Sequence, residues 1–110
     1  MSALSVCRAM AAAVQAAAAV VIASAVSAQT PPAAAQMCST CHGTNGLSTL
    51  PNAPHLAGQP AIYLAEQMKA YRSGKRLHEV MNVVAKPLSD ADIDALAAWY
   101  ASIKIDVKTP

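Results

Sequence analysis

The chain has 110 residues and a formal net charge of +2; 55% of its residues are hydrophobic and only 4% aromatic. That length allows one small domain. A balance so close to neutral excludes the strongly basic footprint of a nucleic-acid or anionic-membrane binder.

Composition shifts sharply along the sequence. Residues 1–28 contain one charge, Arg8, and are mostly Ala, Val and Ser. They read as a secretory signal peptide, with Arg8 in a short n-region and an apolar run from Ala9 to Val26. Val26-Ser27-Ala28 supplies the small residues for cleavage after Ala28, and Ala23-Ser24-Ala25 offers a second site. An uncleaved N-terminal anchor is the competing reading, although the run is barely long enough to span a bilayer. Cys7 precedes the run and leaves with it. The predicted division is therefore 1–28 signal peptide and 29–110 mature domain, the latter with no membrane insertion of its own.

Thr30-Pro31-Pro32 is a non-helical lead-in, and Pro32 suits the first turn of a helix. Ala33 to Thr40 has high helix propensity and predicts a short helix carrying Met37. Such a helix brings Cys38 and Cys41 to one side, because positions three apart share a face. Cys38-Ser39-Thr40-Cys41-His42 is the C-x-x-C-H pattern of covalent haem attachment. The two thiols can add to the two vinyl groups of a haem, leaving thioethers. His42 can then bind the iron as the proximal axial ligand. A chance CxxC, a redox dithiol and half a zinc site are the competing readings. Composition favours haem. The chain has no Phe, and its aromatics are Tyr63, Tyr71, Trp99 and Tyr100. A core that small is marginal, and a large apolar macrocycle would complete it.

Gly43 to Gln59 is rich in turn residues: Gly43, Asn45, Gly46, Pro51, Asn52, Pro54 and Gly58. Loops this long are usually functional or disordered. Following a haem ligand directly, this one is predicted to wrap the proximal face. Pro60 opens a second helix and Gly74 closes it. Ala61, Leu64, Ala65, Met68 and Tyr71 form its apolar face, opposite Glu66, Lys69 and Arg72. Gly74 to His78 is a polar connection. Glu79 to Ala85 predicts one or two helical turns, ended by Pro87. Ser89-Asp90-Ala91-Asp92 reads as an N-cap with acids in the first turn. The last helix runs from about Asp90 to Lys104, with Ile93, Leu96, Ala97, Tyr100 and Ile103 inward and Trp99 on the flank. Val107 to Pro110 is a tail. No strand pattern and no repeat occur, so the fold class is all-α.

A second axial ligand has five candidates in the mature chain: Met37, Met68, Met81, His55 and His78. Met37 adjoins Cys38, too close to reach the opposite haem face. Met68 sits on an apolar helical stripe, where methionine is usually core. Met81, His55 and His78 stay open on the residues alone.

From about Ala33 to Lys104 the chain resembles the class I c-type cytochromes, in particular the small bacterial periplasmic kind. The resemblance rests on Cys38 to Gly43, Pro54-His55-Leu56-Ala57-Gly58-Gln59 and Gly74-Lys75-Arg76. It continues through Met81, seven residues before Leu88-Ser89-Asp90, to Leu96-Ala97-Ala98-Trp99-Tyr100-Ala101. It implies the cytochrome c fold, with about three main helices plus a short one wrapped around one haem c held by two thioethers. It implies that the first and last helices cross, with Trp99 at the contact and Ala33 and Ala34 allowing close approach. It implies that the carbonyl of Pro54 holds His42, and that His42 and Met81 are the iron ligands. The implied function is that of a non-enzymatic periplasmic single-electron carrier working with redox partner proteins. The alternative is the cytochrome subunit of a periplasmic dehydrogenase or sulfur-oxidising complex. A haem enzyme or gas sensor with an open sixth site is a further reading. Lys69, Arg72, Lys75, Arg76 and Lys86 could form a basic ring for an acidic partner, or be ordinary solvated charge.

Overall fold

Four helices and the loops between them make up residues 29–110, the part that the computed structural model describes. The predicted signal peptide, residues 1–28, lies outside the described residues. No strand occurs among the described residues.

The first helix, α1, spans Ala35–His42. It starts two residues later than propensity suggests, because Pro32 to Ala35 forms a turn in which the Ala35 N–H donates to the Pro32 carbonyl at 2.8 Å. It also runs two residues further, so the whole C-x-x-C-H motif is helical and His42 is its last residue. Gly43 stops it at φ +80°, donating its N–H to the Ser39 carbonyl. A β-carbon on Gly43 would collide with the Leu47 carbonyl oxygen, so the turn out of the motif requires glycine.

Helix α2 spans Ala61–Ser73. Pro60 precedes it as the N-cap, and Gly74 ends it in the left-handed conformation as the sequence predicts. Helix α3, Glu79–Ala85, matches the predicted turns. Helix α4 spans Asp90–Ser102 and carries the predicted N-cap, completed as a capping box: the Ser89 hydroxyl accepts from the Asp92 N–H while the Asp92 carboxylate accepts from the Ser89 N–H. It ends short of Lys104, because Ile103 is already extended.

The buried apolar cluster joins Ala35 of α1, Leu64 of α2, Leu88, and Ile93, Leu96, Ala97 and Tyr100 of α4. Ala34, Met68, Trp99 and Ile103 pack against it. Helix α4 packs chiefly on α2, and α2 also carries α3. Among the described residues Ile93 is the largest wholly buried side chain, so the protein core is thin. Arg72 stitches α2 to the start of α4. Its Nη1 donates to the Leu88 carbonyl at 2.9 Å and its Nη2 to Asp90 Oδ1 at 2.5 Å. Lys69 and Asp94 pair at 3.6 Å on the same seam.

Candidate functional site

His42 is buried, with 7% of its surface exposed. Its Nδ1 lies 2.7 Å from the Pro54 carbonyl oxygen. A carbonyl only accepts, so Nδ1 carries the proton and donates, leaving Nε2 as the nitrogen with a free lone pair. Ring orientation and tautomer are thus fixed by one contact twelve residues away in sequence. This is the support a metal-bound histidine needs.

Cys38 and Cys41 lie one helical turn apart on α1, both free thiols and partly exposed. Burial pushes the Cys38 thiol above its ordinary value, and the neighbouring Tyr100 hydroxyl opposes that shift. Tyr100 is 2% exposed. Burial, reinforced by Cys38, drives its phenol upward in turn. Its hydroxyl faces the thiol without making a hydrogen bond of good geometry.

The loop 43–60 is built to hold Pro54 in place. The Gly46 carbonyl accepts from the N–H groups of Leu56 at 2.7 Å and Ala57 at 3.1 Å. Gly46 has φ +71°, and a β-carbon there would lie 2.7 Å from the Tyr100 ring and 2.8 Å from the Ala57 nitrogen. Ser48 donates its hydroxyl to the Cys41 carbonyl at 2.9 Å. The Ser48 N–H donates to His55 Nδ1 at 2.8 Å. The Gly58 N–H donates to the Tyr100 carbonyl at 2.9 Å, fastening the loop to α4.

The five candidates for a second axial ligand separate. Met37 is 43% exposed on α1. Met68 packs against the core. His55 is exposed and spends Nδ1 on Ser48. His78 is exposed and spends Nδ1 as the N-cap of α3, accepting from the N–H groups of Val80 and Met81. Met81 is half-buried on α3, its thioether without a hydrogen-bond role.

The residues present fit a haem. Two thiols stand on one helical turn beside a buried imidazole with one nitrogen unspent. Leu47, Leu50, Leu77, Val80 and Val83 are large apolar side chains left between 44% and 84% exposed in a domain with a thin core. A domain this small gains by covering such surface. Composition and motif made Cys38, Cys41 and His42 legible. The roles of Ser48, Gly46 and Arg72 had no signal beyond ordinary loop and helix residue types. The basic ring is reduced. Lys69 and Arg72 pair with Asp94 and Asp90. Arg76 donates to Gln67 Oε1 at 2.7 Å and lies over the Tyr71 ring.

The cytochrome c family profile matches residues 32–104. A thiosulfate dehydrogenase electron acceptor of Thiomonas intermedia is 46% identical over 79 residues, which are 70% of this chain and 36% of that protein. Cytochrome c-554(548) of Halomonas halodenitrificans is 46% identical over 68 residues, 59% of this chain and 82% of that one. The crystal structure of reduced cytochrome c4 from Pseudomonas stutzeri superposes with a TM-score of 0.58 at 36% identity, covering 61% of this chain and 38% of that one. The chain thus spans little more than a third of several relatives it matches.

Proposed function

The chain belongs to the cytochrome c family, and on that premise we propose that it is a periplasmic single-electron carrier with a His/Met-ligated haem. The family carries covalently attached haem c, which supplies an iron that cycles between the ferrous and ferric states. Cys38 and Cys41 would hold it through two thioethers. His42 would bind the iron through Nε2, and Met81 would supply the second protein ligand. The observation that carries this reading is the 2.7 Å contact of His42 Nδ1 with the Pro54 carbonyl, which frees the other nitrogen and fixes its direction.

The remaining residues work by holding still. Gly46, Ser48 and Gly58 fix the loop that presents Pro54. A thioether ligand favours the reduced metal and raises the potential. With His42 and Met81 both given to the iron, no coordination position would be left for a substrate, which supports a carrier over an enzyme. The leader, residues 1–28, supports export. No helix among the described residues is long and apolar enough to cross a membrane.

The test is the absorption spectrum of the oxidised and reduced holoprotein, native and Met81→Ala. The native protein should show the iron–sulfur charge-transfer band of the ferric state and resist carbon monoxide when reduced. The variant should lose the band and bind carbon monoxide. A Met81→Ala spectrum identical to the native one would overturn the ligand assignment.

A second reading is that the chain receives electrons from a dehydrogenase subunit. It is favoured by the 46% identity to a protein named as the electron acceptor of thiosulfate dehydrogenase. Rapid reduction by such an enzyme and its substrate supports it; reduction no faster than that of an unrelated cytochrome refutes it.

A further inference from the structure

Helix α3 has seven residues, under two turns, and packs on α2. A helix this short is not stable by itself. What holds it is a set of side-chain bonds centred on Asn82. Asn82 Oδ1 accepts from the His78 N–H at 2.6 Å. Its Nδ2 donates to the Tyr71 carbonyl at 2.7 Å and to the Arg76 carbonyl at 2.8 Å. Both amide hydrogens and the amide oxygen are therefore engaged, each with main chain. One side chain ties the end of α2 (Tyr71), the connection after it (Arg76) and the start of α3 (His78) into a single piece.

Met81 hangs from that piece at second hand. The His78 imidazole, with Nδ1 as acceptor, takes the Met81 N–H at 3.2 Å and the Val80 N–H at 3.3 Å. The Asn82 N–H returns to the His78 carbonyl at 3.0 Å. The Tyr71 ring meets the His78 ring edge-on, with centroids 6.3 Å apart. His78 is thus occupied as a cap, and Asn82 keeps it there.

We propose that Asn82 is a positioning residue for the iron ligand Met81: it latches residues 76–82 as one unit, and opening of that latch governs exchange of Met81 for another ligand. This rests on Met81 being the ligand. A strong iron–sulfur bond needs the segment already in place; a loose segment lets external donors compete. The same latch keeps His78 from replacing Met81, because its ring cannot cap α3 and bind iron together.

The experiment titrates ferric holoprotein with imidazole, following loss of the iron–sulfur band. Asn82→Ala should raise the association constant at least roughly tenfold, the scale set by losing hydrogen bonds to main chain. Asn82→Asp keeps an acceptor for His78 but offers no donor to Tyr71 or Arg76, so it should rise as well. Ser89→Ala, which weakens α4 without touching residues 76–82, should leave the constant unchanged. A native imidazole affinity in Asn82→Ala would overturn the latch while Met81→Ala still lost the band. Loss of the ligand reading would instead show as a band surviving Met81→Ala.

Hydrogen exchange on the native holoprotein gives a measurement independent of variant folding. The amides of His78, Met81 and Asn82 should open together, below the stability of α4, and faster in the presence of imidazole. Exchange of the Met81 amide at the rate of an unprotected loop would overturn the proposal.

Discussion

His42 and Pro54 are joined by a 2.7 Å hydrogen bond from a ring nitrogen to a main-chain oxygen. No side chain can be deleted to remove that acceptor. Its position depends on the loop that presents it, so the His42 ring is positioned through loop rigidity. Pro54→Ala keeps the oxygen and releases the fixed φ of proline. It should lower stability by about 0.5–1 kcal/mol and speed solvent exchange of the His42 ring N–H. Thermal unfolding and proton NMR of the reduced protein check both.

Either cysteine alone should still tether the cofactor. Cys38→Ser and Cys41→Ser should each give protein whose mass includes one haem that acid–acetone does not extract. Their reduced pyridine spectra should shift toward that of a haem with one intact vinyl group. The double variant should lose its haem to extraction, and circular dichroism should then show a poorly folded chain.

Gly46→Ala places a β-carbon against the Tyr100 ring and the Ala57 nitrogen at a φ of +71°. Tyr100 is fully packed and the Ala57 nitrogen is main chain, so neither can yield easily. The combined strain should cost about 2–4 kcal/mol, read as a fall in denaturant midpoint with little change in slope.

Much of the fold was legible because its signals are local. Ser89 with Asp92, Gly74 after α2 and Pro87 after α3 mark boundaries within a few residues of where they occur. Cys38, Cys41 and His42 come together because five consecutive residues share one helix. The limits of α1 were displaced by two residues at each end, since propensity does not register the turn at Pro32 or the stop at Gly43. Asn82 and Ser48 were not legible. Their partners are carbonyl and N–H groups that every residue carries, brought near by tertiary packing. The basic residues were legible as charges but not as pairs, because Asp90 and Asp94 meet Arg72 and Lys69 only across α2 and α4.

Acid should weaken the start of α4. Hydrogen bonding and charge from Arg72 hold the Asp90 carboxyl below its ordinary value, and Ser89 does the same for Asp92. Carboxyls depressed in the folded state stabilise it above their unfolded value and lose that contribution as pH falls through the folded one. The melting temperature should therefore decline below about pH 4. Asp90→Asn and Asp92→Asn should start lower at neutral pH and decline less steeply.

Three of the five cations considered for docking already have partners within the fold, two of them carboxylates. Electron transfer to an acidic partner should accordingly slow only a few-fold between low and physiological ionic strength, less than a full basic ring would give. Lys75→Ala and Lys86→Ala should flatten the dependence more than Lys69→Ala does. Stopped-flow measurements across a salt series check the order.

The bond from the Gly58 N–H to the Tyr100 carbonyl has a consequence for the order of assembly. Cys38 and Cys41 precede Tyr100 by some sixty residues. Without the C-terminal helix the loop keeps its internal bonds but loses its tie to the rest of the fold, so the thiols should stay open to whatever installs the cofactor. A chain cut before Tyr100 should accept haem and yet fail to close over it. Closure over the cofactor is thus deferred to the last helix of the fold.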